Sequence, residues 1–256
     1  MNHALLEKMR NAYEYPPAKI LSAPSAPKLL LAGHPYTVHD PFEHGWPKSK
    51  GDSTSWDLDD YHNRLLNSGE IDERFLGVLS VVYWGYRARS SGGANGYAED
   101  RARWMLEGKG SGTRRKQPSE PRSVSSQVAQ ARKCLEDSSD GLQNAIQEIM
   151  EIAFIGFSFA SKILTFMEPR RCAVLDSVLL NALQWSDDST LKSISDTPDG
   201  YATWCRFCQE KADELNALGS KWRDWDAHDY AWRAVDVERA VFAYMGRPRN
   251  PADLFA

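Results

Sequence analysis

The sequence is poor in cysteine, with four in 256 residues. Their uneven placement at Cys134, Cys172, Cys205 and Cys208 excludes the disulfide framework that small secreted domains rely on. Also lacking is any run of the roughly 20 consecutive apolar residues that a membrane helix requires. The start, Met1-Asn2-His3-Ala4-Leu5-Leu6-Glu7, has no basic stretch leading into an apolar one. The expected location is the cytoplasm, with reduced thiols and no membrane partner. Positive charge is not in excess: the formal net charge is -4, so contact with nucleic acid has to be local and not a property of the whole surface. No Gly-rich nucleotide loop, His-Glu metal motif or Gly-x-Ser-x-Gly elbow occurs. Cys205 and Cys208 form a C-x-x-C pair, but no second pair follows to complete four ligands. No metal and no cofactor are expected, and two cysteines one turn apart on a packed helical face are the simpler reading.

Apolar residues make up 42% of the chain, enough for a substantial core in one large domain or two packed subdomains. The first 56 residues are rich in Pro and carry only short apolar pieces such as Lys28-Leu29-Leu30-Leu31-Ala32, so they read as an irregular N-terminal arm laid over the body, 57–256. Helical spacing runs from Asp57 to Leu66, Ile71 to Arg87 and Ala98 to Leu106, and then from Ser123 to Leu135, Gly141 to Phe154, Ser158 to Phe166, Asp176 to Leu183, Gly200 to Leu218 and Ala227 to Met245. Val78-Leu79-Ser80-Val81-Val82-Tyr83-Trp84 fits a buried helix or a short strand, and length favours the helix. Strands are scarce, repeats are absent, and the class is mainly α. Between Gly108 and Arg122 lies a loop with Lys109, Arg114, Arg115, Lys116 and Arg122, which is either a solvated charge run or an arm that contacts phosphate.

The most informative stretch is Ile152 to Met167 followed by Glu168-Pro169-Arg170-Arg171-Cys172-Ala173-Val174-Leu175-Asp176. One helix ends near Phe154, Gly156 offers conformational freedom for a tight reversal, and a second helix begins near Ser158, whose hydroxyl can cap it. Free N–H groups and the positive dipole end at the start of that helix can hold a phosphate without a basic side chain. Lys162 then falls one turn into an apolar helix, where an unpaired ammonium is costly. Its stem either snorkels to water or its amine has a use. Asp176 arrives at the next helix start, where an aspartate commonly serves as an N-cap.

Taken together, the Gly turn, the helix with its lysine, the proline, the apolar run and the Asp at a helix start resemble the helix-hairpin-helix DNA glycosylase superfamily, in particular its bacterial and archaeal 8-oxoguanine glycosylase-like branches. The resemblance spans roughly Gly141 to Leu183, with a hairpin at about 141–167 and a catalytic Asp segment at 172–183. A weaker echo lies at Arg233 to Ala243. It implies a helical fold of two packed subdomains and a monomer acting on double-stranded DNA that contains an altered base. In family members the hairpin often reads Leu-Pro-Gly-Val-Gly, and the reactive lysine of many bifunctional members stands where Ser158 stands here. This chain has one glycine at the hairpin and its lysine one turn further on.

By that resemblance, Asp176 is the catalytic carboxylate and Lys162 the candidate nucleophile. Gly156 and Ser158, with Arg114 and Arg115, would contact DNA phosphates. Tyr83, Trp84, Phe159 and Trp185 are candidates to stack on an extruded base, each equally able to serve as core. Asp176 would stabilise the positive charge that builds on the sugar. Lys162, if it attacks, must be neutral part of the time, which burial favours, and its Schiff base would permit strand cleavage. Otherwise water attacks and leaves an abasic site. The implied substrate is 8-oxoguanine, with a bulky modified base such as glucosylated hydroxymethylcytosine of phage DNA as a further candidate, in repair or defence respectively. Two readings compete: a non-catalytic helix-hairpin-helix DNA-binding module, and a helical protein-interaction domain.

Overall fold

The structure, a computed structural model, describes residues 2–13, 20–22, 37–39, 55–87, 96–110, 116–136, 141–224 and 228–245. Arg114 and Arg115 lie outside them. Eleven helices carry the architecture among these residues: α1 (His3–Asn11), α2 (Ser55–Leu66), α3 (Ile71–Arg87), α4 (Gly96–Glu107), α5 (Pro121–Glu136), α6 (Gly141–Met150), α7 (Phe157–Met167), α8 (Ser177–Leu183), α9 (Ser189–Lys192), α10 (Pro198–Ala217) and α11 (Ala234–Met245). Strands are limited to two antiparallel pairs, β1 (Ile20–Ser22) with β2 (Thr37–His39), and β3 (Trp222–Arg223) with β4 (Asp229–Tyr230).

Local chemistry sets the helix starts. The side chains of Asp176, Asp188 and Thr197 each accept a backbone N–H in the first turn of α8, α9 and α10, and Pro198 occupies the first turn of α10. The run Val78 to Trp84 is helical and lies within α3, where Val78, Leu79, Val81 and Tyr83 are fully buried. A helix buried on nearly all sides shows no clean apolar stripe, which is why its periodicity was ambiguous. Within the N-terminal segment, α1 forms behind its Asn2 cap and places Leu6 and Met9 in the core.

The helices form two packed sets. In one, α3 packs on α2, α4, α5 and α7; in the other, α11 packs on α1, α8 and α10. α6 touches α5, α7 and α10 and joins the two. A buried ion network crosses between them. The Asp59 carboxylate of α2 accepts from Arg233 at 2.8 Å and from Arg239 at 2.6 and 2.9 Å. Asp236 accepts from Arg10 of α1 at 2.9 and 3.0 Å and from Arg233 at 2.8 Å. The Arg10 guanidinium lies 3.6 Å from the centre of the Trp222 ring. Each charge here is multiply hydrogen-bonded, which is the condition for burying it, and the network fixes α11 against α1 and α2.

Candidate active site

The hairpin differs in detail from the sequence expectation. α6 ends at Met150, and the left-handed residue of the reversal is Phe154, with φ 70°. Gly156 is extended, with φ -101° and ψ 172°, a conformation open to any residue. It is Gly156, not Ser158, that stands at the N-cap of α7, and no side chain caps the helix. The Phe157 and Ser158 N–H groups have no backbone partner among the described residues. Gly156 is exposed and has open space beside its Cα, so this helix end is accessible from outside.

Released from capping, Ser158 points its hydroxyl toward the next turn, where Lys162 Nζ donates to Oγ at 3.1 Å. The four-residue offset of the lysine is thus bridged by its own length, since one helical turn spans about 5.4 Å and the amine reaches back to the mouth of α7. The same amine donates to Asp176 Oδ2 at 3.2 Å. Lys162 and Asp176 are each 9% exposed. The other carboxylate oxygen, Oδ1, accepts from the Val178 and Leu179 N–H groups at 3.1 and 3.3 Å. Asp176 is therefore both cap and ion-pair partner, one oxygen for each, and the α8 dipole favours its negative charge.

The positioning of this pair rests on Ser161, buried within α7. Ser161 Oγ accepts the Leu175 N–H at 3.1 Å, and its hydroxyl lies 2.9 Å from the Ser158 carbonyl. That hydroxyl pins the apolar run before Asp176 to the side of α7. From the opposite side, Trp204 Nε1 donates to the Val174 carbonyl at 2.7 Å. The start of α11 is tied to the same turn by Val235 N–H to the Pro169 carbonyl at 3.1 Å.

Lys162 and Asp176 lie on the wall of a cavity of about 150 Å³ between α3, α7, α8 and α11, whose other walls include Tyr13, Trp84, Phe166, Glu238 and Phe242. A mostly apolar cavity of this volume suffices for an aromatic ring. Of the four aromatic candidates, Trp84 lines it, with its ring 5.2 Å from that of Phe166. Phe159 stands behind Lys162, stacked on Tyr86 at 4.2 Å and 5.7 Å from the ammonium. Tyr83 points into the core and is fully buried, and Trp185, beyond the end of α8, is 55% exposed; neither lines the cavity. Successive residues of a helix face about 100° apart, and here Trp84 faces the cavity while Tyr83 faces the core. Gly85 also lines the cavity, and its lack of a side chain is required: a Cβ there would lie 2.7 Å from Phe159 Cε1 and 3.5 Å from Lys162 Cδ.

The sequence reading did not single out Glu238, Arg239, Phe242 or Tyr13. The available signal was the charge pattern of Arg233 just before, and Asp236, Glu238 and Arg239 inside, an otherwise apolar helix. Burial pushes the Glu238 carboxyl up to about 8, with the Asp176 charge adding to the effect and Arg239, Lys162 and Arg10 opposing it. Beside the hairpin, a more open recess of about 690 Å³ is lined by Arg101, Trp104, Lys109, Lys116, Phe154 and Gly156. The loop strands carrying Lys109 and Lys116 are joined by paired backbone hydrogen bonds of 2.8 and 2.9 Å. Lys109 Nζ lies 3.6 Å from the Trp104 ring centre.

The four thiols are free, and those of Cys172, Cys205 and Cys208 are buried. Burial pushes the Cys172 and Cys208 thiols up, so they remain protonated near neutral pH. Among the described residues, no group of three or more His, Cys, Asp or Glu side chains could hold a metal ion, and no helix is long and apolar enough to cross a membrane.

A protein-family model described as "Putative 8-oxoguanine DNA glycosylase OGG-like protein" matches residues 68–242. Neither the curated proteins nor the solved structures provide a match. The matched span holds the hairpin, Lys162, Asp176 and Glu238, and leaves α1 and α2 outside.

Proposed function

The chain belongs to the OGG-like family, described as putative 8-oxoguanine DNA glycosylases, and from that premise we propose that it extrudes an altered base from duplex DNA into the Trp84–Phe166 cavity and cleaves its N-glycosidic bond with Asp176 and Lys162. The observation that carries this reading is the hydrogen-bonded Lys162–Asp176 pair, 3.2 Å apart on the wall of a cavity that can take an aromatic ring.

The chemistry follows from the contacts. As the bond from C1′ to the base breaks, positive charge grows on the sugar, and a fixed carboxylate beside it lowers the barrier. Asp176 is held by two backbone N–H groups and needs no reorganisation to act. Lys162 reaches the same point. On transferring its ammonium proton, its lone pair can attack C1′ and open the sugar to a Schiff base, from which elimination cleaves the strand. If the amine only orients Asp176, water adds to C1′ and an abasic site remains.

DNA contact is assigned to the uncapped N-terminus of α7 at Gly156, Phe157 and Ser158, which can bind a phosphate through N–H groups and helix dipole, and to the adjacent recess with Arg101, Lys109 and Lys116. Arg114 and Arg115, in the same loop, are proposed as further phosphate contacts. A local basic recess reconciles DNA binding with a net charge of -4. The altered base is 8-oxoguanine or a bulky modified base such as glucosylated hydroxymethylcytosine. The body 57–256 would carry Lys162 and Asp176, and Tyr13 of the N-terminal arm 1–56 completes the cavity wall.

The test is base release from duplexes carrying 8-oxoguanine, uracil, alkylated purines, or hydroxymethylated or glucosylated cytosine. Asp176→Asn is expected to bind DNA with wild-type affinity and release no base; full release by that variant overturns the proposal. Borohydride trapping then reads the lysine: a covalent adduct that disappears in Lys162→Gln marks amine attack, and no adduct with the wild type marks the water route.

A further inference from the structure

A departing base leaves with the electron pair of the glycosidic bond, and carboxylate stabilisation of the sugar does nothing for that half of the reaction. The protonated form of a nearby acid would. One side chain of the cavity is built for it. Glu238, in the second turn of α11, is 4% exposed and lines the same cavity as Asp176 and Lys162. It makes no hydrogen bond or ion pair among the described residues, although its neighbours Asp236 and Arg239 are fully engaged in the buried network. An unpartnered buried carboxyl is expensive to retain, so its place at the cavity wall calls for a ligand atom to complete it.

We propose that Glu238 is the general acid of the reaction, donating its carboxyl proton to a ring nitrogen or exocyclic oxygen of the leaving base as the C1′–N bond breaks. The electron pair of that bond goes to the base, which departs neutral. Glu238 is left as a carboxylate. On the water route, water supplies hydroxide to C1′ and its proton restores Glu238 through solvent, so water is divided between sugar and base. The inference rests on the glycosylase reading and assigns its leaving-group half.

The surroundings support a carboxyl that stays protonated near neutral pH. The groups facing it are Arg10 from α1, Tyr13 just after α1, Lys162 from α7, Asp176 at the start of α8, Cys208 from α10 and Arg239 beside it on α11. Burial dominates over the three cations, and the Asp176 charge reinforces it, leaving the carboxyl at about 8. Two carboxyl groups at one site, one accepting from two N–H groups and a lysine and the other pushed up by burial, can divide the acid and anionic roles between them.

The experiment compares wild type with Glu238→Gln, which is close to isosteric and can still donate a hydrogen bond but cannot release a proton. Single-turnover base release is followed from pH 6 to 9.5 on whichever duplex of the panel the wild type processes, with Kd for the same duplex as the fold control. A wild-type rate that falls above about pH 8, and a variant slowed by about 100-fold at pH 7 with unchanged Kd and no alkaline fall, are expected. Release by Glu238→Gln at the wild-type rate, with the same alkaline limb, overturns the assignment and leaves the glycosylase reading intact. Absence of release by the wild type from every duplex overturns both.

Discussion

Replacing Glu238 by Gln removes an ionisation that folding has to suppress, and the consequence for stability can be worked from the structure. In the unfolded chain this carboxyl titrates near 4.5, and in the fold near 8. Between those values the folded protein keeps a proton that the unfolded chain has released. A carboxyl raised in this way contributes stability that is fully present below about pH 4.5 and lost as pH rises through about 8. Each pH unit is worth ~1.4 kcal/mol, so the interval of roughly 3.5 units amounts to about 5 kcal/mol above pH 8 and about 3 kcal/mol at pH 7. Glutamine fills the same space without this penalty. Urea denaturation of both proteins at pH 5, 7 and 9 should therefore show curves that nearly coincide at pH 5 and separate progressively, the variant being the more stable. The gain in stability would accompany the loss of catalysis, as expected where a strained group is kept for function. Denaturation midpoints whose separation does not change between pH 5 and pH 9 would refute the reasoning.

Three further perturbations test other parts of the structure. Asp59→Ala removes the carboxylate that accepts hydrogen bonds from the buried guanidinium groups of both Arg233 and Arg239 and is expected to cost about 3–5 kcal/mol in urea denaturation; a cost under about 1 kcal/mol would remove the network from the account of how α11 is held. In Gly85→Ala, the new methyl meets Phe159 and the Lys162 stem, so base release should fall while stability drops by about 1–3 kcal/mol, and unchanged kinetics would mean that the α3–α7 contact yields freely. His62, buried between the Leu58 carbonyl and Ser80, is pushed down from 6.5 to about 3 by burial. Its lowered value means stability present above pH 6.5 and lost as pH falls toward 3, and His62→Gln should show a shallower acid decline in thermal melts.

The Lys162–Asp176 pair was legible in the chain because both of its members belong to one local stretch. The fourteen-residue interval from Lys162 to Asp176 passes through a helix, a proline turn and a short apolar run that lead the chain back on itself, and Trp204 and Val235 then fix that return from outside. Asp176 kept its ordinary cap role through one oxygen and gained the ion pair through the other. Ser158 was legible as a polar residue at the helix mouth, but its role depended on rotamer and register: with Gly156 at the cap, its hydroxyl turned to the lysine. Among the aromatics, sequence could supply the candidates but not the facing. Trp84 and Tyr83 are neighbours in the chain and sit on different sides of α3.

What the sequence by itself determined is the helical class and the hairpin with its lysine and aspartate, because helix periodicity, turn chemistry and capping act over a few residues. What only the tertiary structure decided is the wall facing that pair. Glu238 and Phe242 of α11 and Tyr13 after α1 reach the cavity because a buried network of Arg10, Asp59, Arg233, Asp236 and Arg239 ties together segments more than 170 positions apart. The acidity of Glu238 is likewise a product of burial, which no residue carries in its own identity and which exists only once the helices have closed around it.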